Sequence, residues 1–227
     1  MTQRPDKSSS QQRPGWRRSR RALAPAAGLV TLALLAACAS SSAPPQLYQL
    51  RAPAPVERAM VVTAPSGMAL QLLLPVNLPE LLERDAILVE QGRSGVLALA
   101  GHRWAEPLRD AVPRLLRQDL AMLLGAGQVW VAPLPAGLAV PRSLRVEVLA
   151  LQTNAARTEV HLQARWTVAA ATGGAAAWSL DQRLVAPVSG ADVDAIAAAH
   201  RLVLWRLAEA IAASLSASQP LSLRATP

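Results

Sequence analysis

The chain has 227 residues, with 23 Lys and Arg against 15 Asp and Glu, a formal charge of +8. Seven of those bases but only one acid precede residue 38, so the remaining 190 residues carry 16 Arg against 14 acids and no Lys. That near-balance excludes a nucleic-acid surface, which needs a basic patch on the folded part. A single cysteine, Cys38, excludes a disulfide framework, so any fold must be held by packing.

Residues 1–37 read as a lipoprotein signal peptide. Arg17, Arg18, Arg20 and Arg21 lead into 16 uncharged residues, 22–37, that end on small side chains. With Pro25 and Gly28 inside it, the stretch falls short of the roughly 20 apolar residues a spanning helix needs. Leu35-Ala36-Ala37-Cys38 resembles the lipobox of bacterial lipoproteins. That resemblance implies cleavage between Ala37 and Cys38 and covalent lipid (palmitate and its like) on the cysteine, with no other cofactor. Ala39 after the cysteine, rather than Asp, resembles an outer-membrane address. Ser19-Arg20-Arg21-Ala22-Leu23 resembles a twin-arginine signal, but the pattern is short and the start is Arg-rich anyway, so the general secretory route is expected. Residues 38–46, with Ser40, Ser41, Ser42, Pro44 and Pro45, read as a lipidated flexible tether.

A single domain is expected over 47–216, followed by a disordered tail at 217–227. Strands are predicted at 47–50 and 68–74, the second stopped by Pro75. Residues 78–89 give a turn of helix and then a strand, and Gly92 and Gly95 mark a hairpin into 96–100. A helix follows, with Glu106 and Pro107 at its first turn and Gly125 as its stop. A short strand is expected at 129–131. Val160, Leu162, Ala164, Trp166 and Val168 alternate with polar residues, the mark of a strand packed on one face; 144–152 and 178–185 are its expected neighbours. Gly173 and Gly174 supply the turn between the last two strands. The last element is a long helix over 191–215, with a stripe including Ile196, Leu204, Leu207 and Ile211. The sum is an α+β two-layer domain, its mainly antiparallel sheet covered on one face by two long helices.

Groups suited to catalysis are scattered. His102, His161 and His200 have no second His or carboxylate at metal-ligand spacing, so no metal site is expected. His200 reads as a core histidine with a hydrogen-bond partner. Asp119 falls among Leu108, Val112, Leu115 and Leu123, where an unpaired carboxylate would be expensive; either it reaches an Arg or that helix faces a partner. Leu202 and Trp205 fall off the stripe of the last helix, so a subunit or partner interface is expected there, unless a strand or the tether covers them. Trp104 is spaced to pack beneath the first helix, and Arg84 to cap or pair near the strand after it. Both are expected to hold the fold.

Several blocks stand in one order behind the lipobox: Tyr48-Gln49-Leu50, then Leu78-Pro79 with Leu82, Arg84, Ile87 and Leu88, then Trp104-Ala105-Glu106-Pro107, then Ala199-His200. Together they resemble the ABC-type transport auxiliary lipoproteins of the PqiC/YmbA group, over roughly residues 46–216. Glu83-Arg84-Asp85-Ala86 departs from the group's usual Asp-Arg-Pro-Gln, which bears on partner choice. The resemblance implies a non-enzymatic accessory subunit of an MCE-type lipid transport system. Its partners would be an MCE-domain protein and ABC transporter subunits, and it would sit as a homo-oligomeric ring on the periplasmic face of the outer membrane. Two other classes stay open: a periplasmic module that itself carries an apolar ligand, and a hydrolase.

Overall fold

The computed structural model describes residues 43–51, 69–170 and 177–217. The signal segment, Cys38, most of the tether, the turn at Gly173 and Gly174, and 218–227 lie outside them.

Among the described residues, eight strands form one mixed sheet. In chain order they are β1 (Gln46–Tyr48), β2 (Leu70–Leu72), β3 (Ala86–Gln91), β4 (Gly95–Trp104), β5 (Val129–Trp130), β6 (Arg142–Thr153), β7 (Glu159–Ala170) and β8 (Trp178–Pro187). A 3-10 turn at Glu80–Glu83 precedes β3; the helices are α1 (Leu108–Leu124) and α2 (Val193–Ala217). Long antiparallel ladders join β6 to β7 and β7 to β8, and β3 pairs antiparallel with β4. The short strands pair parallel: β1 with β4, β2 with β5 and β6, and β3 with β6 at Val89 and Thr153. One edge of β6 therefore meets β2 at Arg142 to Leu144, Asn77 at Glu147, and β3 at Thr153 in succession.

The alternation read in β7 sets the layers. Val160, Leu162, Ala164, Trp166 and Val168 are all buried, while Glu159 and Arg165 face water. Arg165 there grips Asp181 of β8 with Nη2–Oδ2 at 2.9 Å. Against the buried face lies α2, packed on β7 and β8, and α1 packs in turn on α2 and reaches β5. Gly125 ends α1 at a φ of 107°, where a side chain would be strained, and its N–H donates to the Ala121 carbonyl at 3.0 Å.

Two elements depart from simple periodicity. Of the expected strand over 68–74, whose first residue lies outside the described ones, Leu70–Leu72 pair as a strand and the Leu73 N–H still donates to the Leu144 carbonyl at 2.9 Å. In β4, Arg103 faces Ala86 and Ala98 faces Leu88, so extra residues bulge out around Gly101, whose φ is 75°. The bulge lets Leu99 and Trp104, five residues apart, both point into the core.

Candidate functional site

Asp119 and Arg201 meet at the seam between α1 and α2. Arg201 Nη2 donates to Asp119 Oδ1 at 2.6 Å and Nη1 to Oδ2 at 2.8 Å, a bidentate pair. Its Nε donates to the Arg51 carbonyl at 3.0 Å, tying the segment after β1 to the helices. Asp119 is 0% exposed and Arg201 5%. Burial pushes the Asp119 carboxyl up from its ordinary range, and the guanidinium pulls it back. The acid amid leucines therefore has its Arg inside the same molecule, and Asp119 is not available to a partner.

His200 is wholly enclosed. Its Nδ1 hydrogen-bonds the Ile196 carbonyl at 2.9 Å, one turn back, and its ring meets Trp104 edge-on with centroids 5.2 Å apart. Burial lowers its pKa to about 4, against the raising effect of that bond, so the imidazole is neutral at pH 7 and Nδ1 carries the proton. Trp104 thus packs on the second helix as well as beside Leu108 at the start of the first. Leu78 packs on the core, Pro79 starts the 3-10 turn and Pro107 starts α1. Arg84 ends the 3-10 turn exposed. The pair expected of it is made instead by its neighbours, Arg103 Nη1 and Asp85 Oδ2, at 2.6 Å.

The interface expected at Trp205 is overturned. Trp205 is 3% exposed and belongs to the core. The physical reason is the position of α2: lodged between the sheet and α1, it buries Val203, Leu204, Trp205, Leu207 and Ala208 on nearly every side. A single stripe was the wrong template for a helix apolar all round. Arg206, on the same turn, is drawn to β8, where it donates to the Val185 carbonyl. Leu202 is half-buried and lines an open cleft of about 590 Å³ with Arg51, Ser189, Asp192, Asp194 and Arg201. A second cleft, about 530 Å³, lies between Leu74, Pro75, Pro113, Arg117 and Val131.

Among the described residues, no group of three or more His, Cys, Asp or Glu is placed to hold a metal, and no helix is long and apolar enough to cross a membrane. The other histidines make surface contacts: His102 Nδ1 meets the Tyr48 hydroxyl at 2.9 Å, and His161 Nε2 meets Glu159 at 2.9 Å. Sequence reasoning missed Arg201 as the partner of Asp119; the signal was an acid at the centre of an apolar face, which demands a cation from the facing helix. It also missed that the β3–β4 hairpin shows Val96 and Leu97 to water.

What fold and site define is a two-helix, mixed-sheet α+β domain in which the buried Asp119–Arg201 pair ties the two helices together. A model of the family described as "ABC-type transport auxiliary lipoprotein component" matches residues 48–212, and the chain belongs to that family. No curated protein matches it. Among solved structures it is similar to protein XCC0632 from Xanthomonas campestris, of the family DUF330, at 15% identity and a TM-score of 0.60, over 75% of this chain and 95% of that one. It is similar also to a crystal structure described only as an uncharacterized protein, at 16% identity and a TM-score of 0.59, over 76% and 99% of the two chains. At such identities the likeness concerns the fold.

Proposed function

We propose that the protein is an outer-membrane lipoprotein, cleaved behind Ala37 and acylated on Cys38, that serves an ABC/MCE-type lipid transport system as a non-enzymatic accessory subunit. In this reading it stands on the periplasmic face of the outer membrane as a homo-oligomer and docks the far end of the MCE-domain component. The observation that carries the reading is the family match over 48–212, directly behind Leu35-Ala36-Ala37-Cys38. A lipid anchor, a short tether and a compact domain are what a docking part requires. Two or three acyl chains would hold such a part firmly, where one binds only marginally.

Fractionation and crosslinking test it together. Cys38→Ala should leave the chain uncut or release it from the membrane, while the parent is recovered in the outer membrane and crosslinks to an MCE-domain protein. Mature Cys38→Ala protein still in the membrane would end the anchor reading. An anchored parent whose crosslinks never include an MCE-domain protein or transporter subunit would end the docking reading alone.

A further inference from the structure

One end of the domain gathers the β3–β4 turn, the β6–β7 turn and the start of α2. Val89 is level with Thr153, and Glu159 with Pro187, so these three connections project the same way. The chain enters the sheet from that end as well. β1 is parallel to β4 and therefore runs opposite to β3, whose last residues carry the hairpin tip. At this tip β4 opens with exposed apolar residues, Val96 at 39% and Leu97 at 42%, followed by exposed Ala98. β1 pairs only with His102, Arg103 and Trp104, so among the described residues the outer edge of β4 at Val96 and Leu97 has no strand beside it. An apolar strand end with a free edge is a liability in water unless something covers it.

Chain length says what can. Cys38 stands eight residues before Gln46, and a fully extended chain of that length spans about 26–29 Å. From Ala86, level with Arg103 and through it with Leu47, the six residues of β3 carry the tip about 20 Å toward the same side. A bilayer that holds Cys38 is therefore within reach of the tip, on the side from which the tether comes. Arg93 in the turn and Arg157 in the β6–β7 turn are cations at this end, suited to lipid phosphate; Glu90, Glu159, Asp192 and Asp194 are the acids nearby, of which Glu159 meets His161 Nε2 at 2.9 Å and Asp192 caps the Ala195 N–H at 2.8 Å.

We propose that the hairpin tip, Val96 and Leu97 flanked by Arg93, rests in the headgroup layer of the bilayer that anchors Cys38 and so fixes how the domain stands on the membrane. The inference rests on the lipid-anchor reading above. Because Cys38 is the chain's one cysteine and would be acylated, a new thiol at the tip can be labelled alone. Leu97→Cys and, independently, Val96→Cys are labelled with a polarity-sensitive fluorophore in the full acylated protein. Each is then reconstituted in phosphatidylethanolamine–phosphatidylglycerol vesicles containing a spin-labelled phospholipid quencher. Leu180→Cys is the control: Leu180 is exposed on β8, and its neighbour Trp166 faces Val146, seven residues back along β6 from the tip end. Expected are a blue shift and loss of emission at 97 and 96, and neither at 180. Protein that floats with the vesicles while both tip labels stay unquenched would overturn the proposal and leave the anchor standing. A blue shift without lipid quenching would mean that the tether or a second copy covers the tip, and would overturn it too. Protein that does not float would remove the anchor reading and this proposal with it.

Discussion

Acidification should weaken this domain through one residue, His200. Enclosure lowers its pKa to about 4, whereas in the unfolded chain it titrates near 6.5. Between those values the unfolded state takes up a proton that the folded state refuses. The group's contribution to stability is therefore intact above pH 6.5 and is lost as pH falls toward 4. A difference of about 2.5 units corresponds to roughly 3 kcal/mol in full, of which about 2 kcal/mol is already lost at pH 5. For a domain of this size that is a fall of about 4–8 °C in melting temperature between pH 8 and pH 5. Arg84 at the rim of the same small cleft gives an incoming proton no compensating charge, and Trp104 offers only its ring edge. Circular dichroism melts of the parent and of His200→Leu at pH 8, 6.5 and 5 isolate the effect, since every other ionisable group is common to both. The variant should lose the extra slope that the parent shows. Parallel pH profiles would refute the assignment of a buried, neutral imidazole, whatever the variant's absolute stability.

Asp119→Ala should cost about 3–5 kcal/mol in chemical denaturation, because it strands a buried guanidinium, and Asp119→Leu with Arg201→Met should recover most of that loss; a cost below about 1 kcal/mol for Asp119→Ala would show the pair to be solvated. Trp104→Ala empties the space against His200 and should cost about 3–5 kcal/mol, read as an earlier unfolding midpoint; a variant that melts like the parent would show the ring to be exposed. Trp205→Asp should fail to fold, since it places a charge where α2 is enclosed; a soluble, cooperatively melting Trp205→Asp protein would restore the interface reading of that position.

Much of the fold could be read in the residues because it is local. Alternation from Val160 to Val168 fixes a strand, its inward face and its antiparallel neighbours, all by short-range rules. Gly125 stops α1 for a reason visible in one residue. The parallel pairings were not legible, since nothing in Leu70–Leu72 announces Arg142 to Leu144 as its partner across some 70 residues. The bulge at Gly101 also defeated period two and hid the fact that Leu99 and Trp104 share a face. Trp205 was misplaced for a third reason: periodicity finds the most apolar stripe of a helix, and it does not say how many layers enclose that helix. The hydrophobic residues of α2 exceed one stripe, and that surplus was the available clue.

In the proposed role any pull through Cys38 enters the domain at Gln46, and β1 has only three residues with which to resist it. Its ladder to His102, Arg103 and Trp104 is supplemented at both ends. The Tyr48 hydroxyl donates to Gln46 Oε1 at 2.8 Å and accepts from His102, and the Tyr48 carbonyl receives the Ala105 N–H at 2.8 Å. Beyond the strand, Leu50 is sunk in the core and the Arg51 carbonyl is held by Arg201. The guanidinium that satisfies Asp119 thus also pins the first stretch of folded chain to the two helices. A hydrophobic replacement of the ion pair could match its stability and still lose that third bond. The buried charges are better explained by this three-way junction than by the strength of the pair, because a buried ion pair seldom outperforms well-packed leucines on energy alone.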